Sequence, residues 1–116
     1  MPGFNAKALF DEYGDHDLVR DLAQLVIDTT PPQLEAVRSA IAGGDGAALR
    51  AAAHRLRGSL VAFGLPDAVE TARTLEAMGA AGQLAGAEKL STALEKDVQF
   101  LRETAKAWLD TGAALP

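Results

Sequence analysis

A chain of 116 residues has the length for one modest core, and without a single cysteine it excludes disulfide and thiolate chemistry. Its net charge of -5 works against nucleic acid or an anionic membrane as a partner, which points to other proteins. Hydrophobic residues make up 48%, yet only 5% are aromatic, and a set dominated by alanine and leucine favours helices over a sheet.

The opening stretch Met1-Pro2-Gly3-Phe4-Asn5-Ala6-Lys7 lacks the basic and then apolar run of a secretory signal, and no window reaches the length of a membrane span. A soluble, cytoplasmic protein is expected. The first helical segment, from about Asn5 to Glu12, stops at Gly14. Asp15 or Asp17 caps the second, in which Leu18, Leu22, Leu25 and Thr29 share a face before Pro31 and Pro32. Proline lacks the N–H and restricts the residue ahead of it. Either Thr30 caps a restarted helix with Leu34, Val37 and Ile41 inward, or one kinked helix runs to Ala42; the kinked helix is preferred.

Gly43-Gly44-Asp45-Gly46 is the clearest turn, with Asp45 placed to cap a third helix from about Ala47 to Phe63, ended by Gly64. Leu65-Pro66 opens a fourth, with Leu65, Ala68, Ala72 and Leu75 inward and Gly79 as its stop. The last long helix carries Ala87, Ser91, Leu94, Val98, Leu101, Ala105 and Trp108 at heptad spacing, Trp108 as core or an end plug. The tail from about Thr111 is expected to fray. Four amphipathic helices joined by short loops bury their stripes by packing side by side. The expectation is therefore an all-α, antiparallel up-down four-helix bundle with a short extra N-terminal helix, residues 1–116 forming one domain. With one apolar stripe per long helix, chemistry belongs on the outer surface.

The third helix is the informative one. At roughly 100° per residue, Leu49, Ala53, Leu56, Leu60 and Phe63 form the buried stripe, and His54 lies about 140° from its centre, in a sector with Arg50, Arg57, Gly58 and Val61. A free imidazole titrates at about 6.5, so a solvent-facing ring is largely neutral near pH 7 and offers a nucleophilic nitrogen. Guanidinium groups beside it become counterions once the ring carries a phosphoryl group. Gly58, one turn on, leaves the surface above the ring bare for the close approach of a partner.

The segment Ala53-His54-Arg55-Leu56-Arg57-Gly58-Ser59, with Gly64 and the later pair Leu75-Glu76, resembles the motif of the histidine phosphotransfer (HPt) domain family. The similarity extends in coarse form over most of the chain, through the Gly-Asp turn, the motif helix and the long last helix. The resemblance implies a phosphorelay intermediate without kinase activity of its own. His54 matches the phospho-accepting histidine, Arg57 the basic residue beside it, and Gly58 the glycine that admits a receiver domain. Arg50 is assigned auxiliary charge, and Leu56, Gly58 and Val61 the docking area. The implied partners are response-regulator receiver domains and a sensor or hybrid histidine kinase, with no nucleic acid, no membrane and a monomeric chain. No cofactor is implied beyond magnesium on the partner receiver. Two departures stand out: Arg57 replaces the usual lysine, keeping the charge with a forked geometry, and Val61 puts an apolar side chain on the exposed face.

His16, among Asp15, Asp17 and Asp21, matches no ligand spacing for a metal, and an acidic helix start explains that cluster more simply. Arg50, Arg55, Arg57 and Arg73 do not make a nucleic-acid face, since Arg55 falls on another side of its helix. Gly43-Gly44-Asp45-Gly46 lacks the lysine and hydroxyl of a nucleotide loop. The alternative of a different class is a helical adaptor that docks signalling partners without phosphoryl transfer.

Overall fold

The computed structural model describes residues 3–111, so the expected frayed tail lies outside the described residues except for Thr111. Five helices follow in order: α1 (Ala6–Tyr13), α2 (His16–Ala42), α3 (Gly46–Ala62), α4 (Pro66–Ala81) and α5 (Ala87–Asp110). The four long helices pack as an antiparallel ring, α2 against α3 and α5, and α4 against α3 and α5, while α1 lies on α2. The architecture is thus all-α, an up-down four-helix bundle with a short N-terminal helix. Among the described residues no helix is long and apolar enough to cross a membrane.

Local chemistry sets the ends. Asn5, Asp15 and Asp45 each accept a hydrogen bond from the backbone N–H three residues on, at 3.0, 3.2 and 3.0 Å, capping α1, α2 and α3. Asp15 is therefore the cap of α2, and Asp17 sits in its first turn. At the end of α3 the N–H of Gly64 bonds Val61 and that of Leu65 bonds Leu60, at 3.2 and 3.1 Å. This Schellman closure needs φ of +71° at Gly64, which a β-carbon would strain.

Helix α2 runs without interruption through Pro31 and Pro32, so one helix rather than a restarted one spans this stretch. Its buried stripe, however, is Val19, Ala23, Val26, Thr30, Leu34, Val37 and Ala40 rather than Leu18, Leu22, Leu25 and Thr29. The cause is continuity: the register of Leu34 and Val37 extends backwards through the prolines to Thr30, Val26, Ala23 and Val19, whatever the sizes of the side chains one position earlier. Leu25 is left exposed, and Leu22 finds cover beneath α1. Thr30, fully buried, donates its hydroxyl to the Val26 carbonyl at 2.6 Å, so the core holds no orphaned group there.

The core is leucine, valine and alanine from all four long helices, with Leu49, Leu56, Leu60, Leu75, Leu94 and Leu101 fully buried. Trp108 plugs one end, its ring 5.6 Å from Phe4 and 6.0 Å from His16. Gly79 does not close α4, which continues to Ala81 and ends at Gly82. It is instead a buried point of close approach, where a β-carbon would lie 2.6 Å from the Arg50 backbone nitrogen and 2.6 Å from the Gly46 carbonyl oxygen. Side-chain-free contact at this point brings α3 and α4 together directly beside the informative stretch of α3.

Candidate functional site

A tight hairpin sets the register between α3 and α4. His54 and Glu76 each lie eleven residues from Leu65, the last residue of the short connection 63–65, so antiparallel packing carries the two side chains to about the same height. The His54 side chain is 63% exposed, and its Nδ1 lies 3.0 Å from Glu76 Oε1. Arg57, one turn further along α3, brings Nη2 to 3.0 Å from the same Nδ1 and Nε to 3.0 Å from Glu76 Oε2. The Nε–H does not point at Oε2, so this contact is ionic rather than an in-line hydrogen bond.

Two neighbours compete for one ring nitrogen, and their chemistry decides the tautomer. A carboxylate only accepts and a guanidinium only donates. With Nδ1 protonated, the ring donates to a charged oxygen, a stronger bond than one between neutral groups. With Nδ1 unprotonated, its lone pair would face the carboxylate. Glu76 therefore favours Nδ1–H, while Arg57 keeps the second carboxylate oxygen as its partner. That leaves Nε2 as the ring nitrogen without a partner among the described residues, on a ring held from behind by α4.

The remaining sequence-derived residues fall around this ring. Gly58 is exposed, and a β-carbon built on it meets no atom within 4 Å. A glycine inside a helix is destabilising by about 1 kcal/mol relative to alanine, and nothing within the fold requires one here. Val61 is 60% exposed. Arg50 and Arg55 are exposed and line, with Ala47, Ala51, His54 and Glu76, a shallow depression of about 370 Å³. Arg55, about 140° around α3 from Arg50, borders the same depression from its other side. Leu56 corrects the expected docking set: it is fully buried, one of the core stripe of α3, and presents nothing to a partner. Glu76 had no assigned role in the sequence reading beyond its place in the Leu75-Glu76 pair. The signal that finds it is the hairpin symmetry about Leu65.

Residues 21–104 match the family model described as the Hpt domain, a span that contains His54, Arg57, Gly58 and Glu76. No match is found among curated proteins or among solved structures. With most of its length covered by that match, and with an exposed histidine on the outer face of a helical bundle, the chain belongs to the Hpt domain family, the histidine phosphotransfer domains of phosphorelay signalling.

Proposed function

We propose that this protein is a phosphocarrier that accepts a phosphoryl group on Nε2 of His54 from a receiver-domain aspartate and donates it to another. The observation that carries the reading is the exposed imidazole whose Nδ1 is engaged by Glu76 at 3.0 Å, beside an open Gly58. The Nε2 lone pair attacks the phosphorus in line as the bond to the aspartyl oxygen breaks, and the carboxylate leaves with that electron pair. The transition state is loose, with charge spread over the phosphoryl oxygens.

Attack by the neutral ring leaves positive charge on it. The Glu76 carboxylate, facing Nδ1–H, stabilises that charge as it develops and holds the ring edge toward the partner. Arg57 is the cation nearest the ring, and its guanidinium would help hold the transferring group, whereas the auxiliary charge of Arg50, one turn back along α3, acts on the approaching partner. Gly58 and Val61 supply docking surface. Magnesium is expected on the receiver, not on this chain. Both phosphohistidine and acyl phosphate are energetic linkages, so transfer runs in either direction as partner populations dictate.

The test is incubation with phosphorylated receiver domains, or with a hybrid kinase and ATP, while following acid-labile label. Wild type is expected to acquire it and His54→Gln to remain unlabelled. Label on both, or on neither across a broad panel of partners, favours an adaptor that docks without transfer.

A further inference from the structure

The charge of α3 is one-sided. Its ionised side chains are Arg50, Arg55 and Arg57, with no acidic residue among them, and these three positive charges stand against -8 on the rest of the chain to give the net -5. Helical arginines are commonly relieved by carboxylates three or four residues away. Around Arg50 and Arg55 those positions hold only glycine, alanine, serine and His54. Among the described residues neither arginine takes part in an ion pair, whereas Arg57 is held by Glu76.

Both unrelieved arginines border the depression that ends at His54, and its floor is the small side chains of Ala47 and Ala51. An opposing surface can therefore settle low between two guanidinium groups whose planar forks match carboxylates. The acidic remainder of the molecule repels an acidic partner from other directions and so orients it onto this face. The same remainder repels a polyanion too long to be confined to α3, which disfavours nucleic acid.

Resting on the reading of His54 as the phosphoryl carrier, we propose that Arg50 and Arg55 form a docking rim that selects protein partners whose phosphoryl-bearing site is bordered by carboxylates. Each guanidinium pairs with a carboxylate of that border, so the rim acts on encounter and on partner choice, while bond making at Nε2 is left to the groups already described. Such steering raises association rates by roughly one to three powers of ten at low salt and fades as the Debye length shrinks from about 10 Å at 0.1 M to about 3 Å at 1 M.

The experiment measures second-order transfer constants over a salt series, for wild type and Arg50→Glu/Arg55→Glu, each with an acid-bordered phosphorylated receiver and with the same receiver after those carboxylates are changed to amides. Circular dichroism checks that the double variant keeps its helix content. The expected result is a loss of about tenfold at low salt for the double variant on the acid-bordered receiver, shrinking at high salt, and little further loss on the amide receiver. Arg55→Glu alone is expected to show part of the same salt-dependent loss. A double variant with the wild-type constant and salt slope, or with equal loss on both receivers, overturns the rim while leaving transfer through His54 standing. Retention of single-stranded or duplex nucleic acid by wild type and not by the double variant overturns the choice of a protein partner. A wild-type chain that takes no label from any receiver overturns the underlying phosphocarrier reading, and the rim with it.

Discussion

Replacing Gly58 with alanine is expected to stabilise the protein while impairing transfer. The residue lies in the interior of α3 with an ordinary helical backbone, and the added methyl meets open space, nothing lying within 4 Å. The substitution therefore gains the full helix-propensity difference, about 0.8 to 1 kcal/mol, with no packing term to oppose it. For a domain of this size that is a rise of about 4 °C in Tm, readable by calorimetry or thermal circular dichroism. On the partner's side the same methyl occupies the surface one turn from His54, where the receiver must approach. Overfilling a well-packed contact is unfavourable by about 1 to 3 kcal/mol, so transfer should slow by about tenfold. Bulkier replacements should slow it further. The two readouts move in opposite directions, which a merely structural glycine cannot produce. An unchanged Tm would refute the open-space argument, and an unchanged transfer rate would refute the role of Gly58 as the gap through which the partner reaches the ring.

Gly79→Ala should behave in the contrary way: its β-carbon would press on the Arg50 nitrogen and the Gly46 oxygen at 2.6 Å, backbone atoms that yield only if α3 and α4 part. The propensity gain is outweighed, and chemical denaturation should show a net loss of about 1 to 2 kcal/mol. Glu76→Gln removes the charge behind Nδ1, and transfer is expected to fall by about tenfold, since hydrogen bonds to charged groups are worth about 1.5 to 3 kcal/mol. A positioning role also predicts a larger Nε2–H fraction in the ring nitrogen spectrum, whereas slower transfer with an unaltered tautomer would assign Glu76 to another task. Asp97 has its carboxyl raised above the ordinary 3.8, first by burial and then by the negative charge of Asp67. Its folded form binds the proton more tightly, so its contribution favours folding below pH 3.8 and declines as the pH rises through the folded value. Asp97→Asn should accordingly raise Tm at neutral pH, and a lower Tm would contradict the burial argument.

The bundle was legible because its helices carry strong apolar periods and clear stops. The α3 stripe from Leu49 to Leu60 and the α5 stripe from Ala87 to Ala105 follow directly from 3.6-residue spacing, and both are buried. The α2 stripe was misread by one position because large leucines outweighed register, and register is inherited across Pro31 and Pro32 once the helix is known to be continuous. Gly79 looked like a stop because glycine commonly ends helices, and only the packing of a neighbouring helix distinguishes a stop from a close approach. Leu56 illustrates the opposite lesson. Its period already assigned it to the core, and proximity in sequence to His54 was no reason to place it on the docking face as well. Glu76 is far from His54 along the chain, so spacing on one helix could not reveal it, whereas folding the α3–α4 hairpin about Leu65 pairs the two without coordinates.

Locating the phosphoryl group on the ring tests the central claim most directly. After transfer from a phosphorylated receiver, nitrogen and phosphorus NMR of the histidine-labelled protein should show a single phosphoryl group on Nε2 of His54, with Nδ1 still protonated against Glu76. A phosphoryl group on Nδ1, or on His16 in place of His54, would contradict it.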